Sequence, residues 1–222
     1  MGSVIGEILP LALGIAISPV PIIAAILMLL SPKARGTSIG FLVGWVLGIV
    51  VAVIVFTLVS SFLPDSGDAS RPIAGVIQII LGVLLLLLAV KEWRSRPHGD
   101  AEPALPGWMA AIDSMTAARG LLLGFALSAL NPKNLLMGVA AGVAIGSGGL
   151  TVGESTIVIV LFTLIAASTV AVPVIAYLAA SNRMAAPLES LRRWLVHNNA
   201  TVMAVLLLVI GVVLIGKGIG SF

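Results

Sequence analysis

The chain has 222 residues, of which 59% are hydrophobic and only 9% charged, with a formal net charge of +3, no cysteine and a mean hydropathy of +1.20. Soluble domains run at roughly 45 to 50% apolar and about 25% charged residues, so this composition excludes a soluble globular protein and describes an integral membrane protein. Without cysteine there are no structural disulfides, thiol relays or cysteine metal sites.

Continuous apolarity predicts helices, because barrel strands would alternate polar and apolar residues. Runs long enough to cross a hydrocarbon core of roughly 30 Å fall at residues 4–30, 38–63, 72–90, 120–145, 154–180 and 200–219. The expected fold is an all-α membrane bundle of six transmembrane helices. The first span lacks a basic n-region and an A-x-A cleavage site, so it is expected to be retained rather than removed as a signal peptide. It is interrupted near its centre by Ser18, Pro19, Val20 and Pro21. The second opens with Gly36, Gly40, Gly44 and Gly48, a small-xxx-small ridge that lets helix backbones approach closely. Packing within one chain is the plain expectation for it; a homodimer face or a sliding surface are the alternatives.

After the third span, residues 94–107 contain Pro97, Gly99, Pro103, Pro106 and Gly107 and read as a flexible linker. Trp108, Met109, Ile112 and Met115 then form an apolar stripe that predicts an interfacial helix on the inner leaflet. The fourth span carries Ser128, Asn131, Pro132, Lys133 and Asn134, followed by a second ridge of Gly138, Gly142 and Gly146. The fifth has Ser168, Thr169 and Pro173 near its centre, and a second amphipathic stripe of Leu188, Leu191, Trp194 and Leu195 precedes the sixth. The chain therefore divides into a first three-helix unit at 1–93, a linker with an interfacial helix at 94–119, and a second three-helix unit at 120–222.

Nine basic residues, Lys33, Arg35, Lys91, Arg94, Arg96, Arg119, Arg183, Arg192 and Arg193, fall in alternate connections, whereas the opposite connections hold Arg71 and Lys217. Under the positive-inside rule the nine mark the cytoplasm, which puts the protein in the cytoplasmic (inner) membrane with both termini outside. This loop bias also explains the sequence pI of 9.8, so no nucleic-acid partner is expected.

The two units repeat. The segment at residues 11–18, "LALGIAIS", aligns without a gap on residues 121–128, "LLLGFALS", pairing Leu11 with Leu121, Leu13 with Leu123, Gly14 with Gly124, Ala16 with Ala126 and Ser18 with Ser128. A proline-bearing break follows each copy. Three spans separate the copies, so the second crosses in the opposite direction, an inverted repeat of the kind found in secondary transporters. Proline removes a backbone donor and clashes with the carbonyl four residues back. The groups it frees are tolerable only against protein or a wet cavity.

Lys133 is the twelfth basic residue and lies inside a span. An ammonium there costs about 2.5 to 3.5 kcal/mol, which makes it a functional candidate by default. Its alternative is a clamp onto carbonyls freed at the first break. Asn131 and Asn134 either orient Lys133 and contact substrate or cap the helix around Pro132. Together with Ser18, Pro19, Pro21, Ser128, Ser168 and Thr169 these residues form the expected midplane substrate site.

The nine acidic residues (Glu7, Asp65, Asp68, Glu92, Asp100, Glu102, Asp113, Glu154 and Glu189) all fall in connections or at span ends, and His98 and His197 have no metal-ligand spacing. No metal site, cofactor or enzymatic activity is expected.

The "SPVP" break, the connection "SPKARG" leading into "GFLVGWVLG", and "LNPKN" in the fourth span resemble the LysE superfamily of six-span exporters. There a Pro-Gly-Pro-like break and an Asn-Pro-Lys motif face each other across inverted repeats. The match at Asn131, Pro132 and Lys133 is full, whereas Val20 stands where glycine is usual. The length, the linker ending near "GWMAAIDSMTAARG" and the Ala/Gly/Val-rich composition look more like the GAP branch, the mycobacterial glycolipid-addressing and sulfolipid-addressing proteins of actinobacterial envelopes. That likeness implies a secondary transporter or translocation factor exporting a cell-envelope glycolipid, or its precursor, with a polar or anionic head. Export of amino acids or small metabolites is the alternative. A non-transporting scaffold, with a lipid synthase or larger exporter as partner, is the second; membrane lipids are partners in every case.

Overall fold

The computed structural model describes residues 1–61, 70–96, 109, 112 and 114–222, and these are all-helical with no strand among them. The helices are α1 (Gly2–Ala16), α2 (Pro19–Leu29), α3 (Ala34–Ser61), α4 (Ser70–Arg94), α5 (Ala117–Ala129) and α6 (Pro132–Gly146). A last helical run, Val152–Ile219, is interrupted by Ala180 at φ −148° and ψ 55°. It therefore counts as α7 (Val152–Ser181) and α8 (Arg183–Ile219). The proline-rich linker with His98, the acidic residues Asp65, Asp68, Asp100, Glu102 and Asp113, and Trp108 lie outside the described residues.

Four helices, α3, α4, α7 and α8, are each long and apolar enough to cross a membrane, and α1 with α2 makes a fifth span if that bent pair is counted as one. The protein is thus a multi-pass membrane protein with four to five spans by length and composition. The expected fourth span is split: α5 has 13 residues and α6 has 15, and neither crosses alone.

Proline chemistry sets both splits. Ser18 is extended at φ −71° and ψ 111°, and Pro19 opens α2; Asn131 is extended at φ −67° and ψ 122°, and Pro132 opens α6. Proline is suited to the first helical position because its absent N–H would have no partner there, and it pushes the preceding residue out of the helical region. The two halves of the first pair meet at a bend of 48°. Between α6 and α7 the chain turns at Gly149, whose φ of 62° is the left-handed conformation that glycine adopts without cost. Thr151 and Glu154 then form a capping box that starts α7.

The glycine ridge of α3 lies on α5, and the glycines of α6 lie on the later part of α3. A methyl group at Gly40 would overlap the carbonyl of Ala117, one at Gly44 that of Leu121, and one at Gly48 the hydroxyl of Ser128. From the other side Gly120 meets Thr37, Gly124 meets Phe41, Gly142 meets Phe56 and Gly146 meets Ser60. Numbers rise together in both partners, so α5 and α6 lie end to end, parallel to α3. Phe41 and Trp45 stack on α3 with ring centroids 6.4 Å apart, both fully buried. Gly36 and Gly138 are looser, with their nearest neighbours at van der Waals distance.

Other pairs run antiparallel. Gly75 faces Gly218 and Gly82 faces Gly211 between α4 and α8; Val4 faces Gly148 between α1 and α6. The core runs from α1 and α2 through α3, α6 and α7 to α8. Met109, Ile112 and Met115 are buried in it, which places that stripe against the protein's own interior. In the second stripe Leu188 and Leu195 are buried while Trp194 is 54% exposed, and the stripe is continuous with α8 instead of forming a separate helix.

Candidate functional site

Two broken helix ends meet around Lys133, the second residue of α6. Proline at position 19 leaves the last turn of α1 short of donors. Ser18 turns its N–H to Ile15 at 3.2 Å, in a tightened turn, so the carbonyl of Gly14 receives no helical bond from it. Lys133 supplies the missing donor: its Nζ donates to the Gly14 oxygen at 2.7 Å, with the sulfur of Met203 at 3.9 Å. A second orphan carbonyl, that of Ala16, accepts from the hydroxyl of Thr169 on α7. The cation also faces the negative end of the α1 dipole, where positive charge is favoured.

Lys133 is only 3% exposed. Burying an ammonium is costly unless its protons find acceptors, and one carbonyl and one thioether are what the described residues give it. Glu92, half-buried near the C-terminal end of α4, is the carboxylate whose charge acts on it. By sequence Glu92 belongs to a connection; the packing of α4 brings it within electrostatic reach of Lys133. Gly14, Met203 and Glu92 are thus site residues that the pattern of residues does not reveal. Gly14 had a signal in its pairing with Gly124, but a carbonyl acceptor leaves no mark in a sequence.

Asn131 caps α6, its Oδ1 accepting from the N–H of Lys133 at 3.1 Å. Asn134 donates from Nδ2 to the carbonyl of Leu127 at 2.9 Å, closing the broken end of α5 as Lys133 closes that of α1. Its Oδ1 is buried without a partner among the described residues. Ser128 bonds back to the carbonyls of Gly124 and Phe125, and Ser168 to that of Ile165. Ser18, Pro19 and Pro21 are buried at the first break, whereas Pro132 is exposed on the outside of the bundle. The structure therefore brings Lys133, Thr169 and the first break together, sets Asn134 on the end of α5, leaves the two serine hydroxyls satisfied within their own helices, and exposes Pro132.

Gly14 also borders a lateral opening. An apolar groove of about 510 Å³ runs between α1 and α8, lined by Pro10, Leu13, Gly14, Ile17, Val205 and Ile210 among others. A side chain at position 14 would meet the side-chain ends of Ile210 on α8 and Met137 on α6, so α1 is closely packed against both where its Gly14 carbonyl receives Lys133. Among the described residues no cluster of three or more His, Cys, Asp or Glu could hold a metal ion.

The family model for Sap, sulfolipid-1-addressing protein, matches residues 8–220. No curated protein and no solved structure matches the chain.

Proposed function

The chain belongs to the sulfolipid-1-addressing protein family, and from that premise we propose that it exports, or helps to translocate, a cell-envelope glycolipid or its precursor with an anionic or strongly polar head. The observation that carries this reading is the buried ammonium of Lys133, which holds a neutral carbonyl at the seam of two broken helix pairs. An anion offers an ammonium a full charge–charge attraction at low dielectric that a neutral carbonyl does not. An anionic head group therefore displaces Gly14 from Lys133, and the free Oδ1 of Asn134 accepts from its hydroxyls. Clamp and binding site are then two states of one side chain.

In this reading α5 and α6 together form a further span, giving six, and the antiparallel pairs α1–α2 and α5–α6 are the matched arms of an inverted repeat. The groove between α1 and α8 favours a lipid over an amino acid, because it opens sideways from Gly14 to where acyl chains lie. LysE-type export of small metabolites stays as the nearest rival.

The test is Lys133→Met. Export of the labelled glycolipid to the outer envelope should fall to the level of a deletion strain while the protein remains inserted and monodisperse in detergent. Full export would overturn the site. Vesicles loaded with labelled amino acids should show no efflux dependent on the protein; efflux would favour the metabolite reading. A scaffold role would instead leave Lys133→Met active and make Trp194→Ala, at an exposed position on α8, the damaging change.

A further inference from the structure

The seam between α4 and α8 carries a different ligand chemistry. There a groove of about 310 Å³ is lined by Ala89, Val90, Trp93 and Arg94 of α4 and by Ala204, Val205 and Leu208 of α8. Its volume is at the lower bound of the roughly 300–1,000 Å³ typical of small-molecule sites. The walls are apolar from Leu208 to Ala89, and Val90, Val205 and Leu208 are each about half exposed on the lipid-facing surface. Arg94 stands at one end only, the end where the nine basic residues gather. It has no ion-pair partner among the described residues. Trp93 beside it is 50% exposed, and the guanidinium of Arg96 lies 3.1 Å from the centroid of its ring. Arg96 also donates to the Trp93 carbonyl at 3.0 Å, which fixes it at the same rim.

An apolar groove bordered at one end by a basic residue matches an amphiphile with one anionic end. Tryptophan and arginine at the border of a span occupy the head-group layer, and basic pockets between membrane helices on the cytoplasmic side bind anionic lipid head groups. We propose that the α4–α8 seam seats an anionic phospholipid of the surrounding bilayer, its phosphate on Arg94 at the Trp93 rim and one acyl chain along Val90, Ala204, Val205 and Leu208. This groove shares Val205 with the one that Gly14 borders, but it opens between α4 and α8 and uses neither broken helix.

Electron paramagnetic resonance on the full chain in phosphatidylcholine bilayers, with traces of spin-labelled phosphatidylglycerol or spin-labelled phosphatidylcholine, measures how strongly each lipid is held. The native protein should prefer phosphatidylglycerol over phosphatidylcholine, and Arg94→Gln should lower that ratio roughly fivefold, the factor expected of one basic residue at the surface. Val90→Trp, which fills the groove from an exposed position and leaves the charge in place, should lower the motionally restricted fraction and the ratio together. Lys133→Met should leave both at native values. An unchanged ratio in Arg94→Gln, or no preference in the native protein, overturns the proposal. A ratio that falls in Arg94→Gln but survives Val90→Trp also overturns it, since general surface charge would then explain the preference without a seat.

Discussion

Lys133 and Thr169 close one broken helix end from two different helices, and each does so through a backbone oxygen that the break at Ser18 leaves without its helical donor. Their contributions should differ in size. Hydrogen bonds between membrane helices average about 0.6 kcal/mol and reach about 1.7 kcal/mol, so Thr169→Val should lower stability in detergent by an amount of that order, read from thermal or denaturant unfolding. Lys133→Met removes a charge as well as a donor. It relieves the cost of burying an ammonium while leaving Gly14 unpaired, so its net effect on stability should be smaller than its effect on export. Because both side chains hold the same turn of α1, the double variant should depart from additivity by about 0.5 kcal/mol or more. Additive losses would mean that the two bonds do not act on a common element. Asn131 belongs to the same scale. Its cap on α6 was legible as one of two alternatives in the sequence, since an asparagine before a proline offers an oxygen to the first turn. The identity of the carbonyl beneath Lys133 was not legible, because any backbone oxygen freed by Pro19 or Pro21 was an equal candidate.

At the scale of elements, the glycine ridges were readable from spacing alone, but their partners were not. A period of four residues states that one helix face is flat; only the fold shows that α3 lays this face along α5. The consequence for substitution is graded. Gly44→Ala sets a methyl group into the Leu121 carbonyl, a backbone atom that cannot swing away, and overpacking of this kind typically costs 1 to 3 kcal/mol. Gly216→Ala on α8 meets nothing within 4 Å and replaces a poor helix former by the best, a gain of up to about 1 kcal/mol. Opposite shifts in melting temperature for these two variants check the packing. Equal effects would show that α3 and α5 are further apart than the ridge demands. The internal likeness was also legible, though its register was not. The match that pairs Ser18 with Ser128 leaves the two helix-opening prolines, Pro19 and Pro132, about one turn out of step. A break slides by a turn without changing which face of the helix looks inward, so sequence similarity and break position need not coincide.

For the whole molecule, the helix registers collect the basic residues in one place. The N-terminal end of α3 lies beside that of α5, with Lys33, Arg35 and Thr116 lining one opening. The C-terminal end of α4 lies beside Ala204–Leu208 of α8, and since the two helices run antiparallel the earlier part of α8 continues beyond that end of α4. At the far end Glu7 acts electrostatically on Lys217, and Gly75 packs on Gly218. Met1 and Phe222 therefore belong to the end opposite the basic one. The positive-inside rule predicts that a positively charged end stays on the cytoplasmic side during insertion, and the expectation for the far end is then that it faces outward. The chain has no cysteine, so single introduced thiols report sidedness without background. Ser3→Cys and Ser221→Cys should react with a membrane-impermeant maleimide added to intact cells, whereas Ser95→Cys and Ser114→Cys should react only after the membrane is opened. Labelling of the termini on opposite sides would mean an odd number of crossings, in which case α5 and α6 do not span together and the paired-repeat reading of the Lys133 site fails with them.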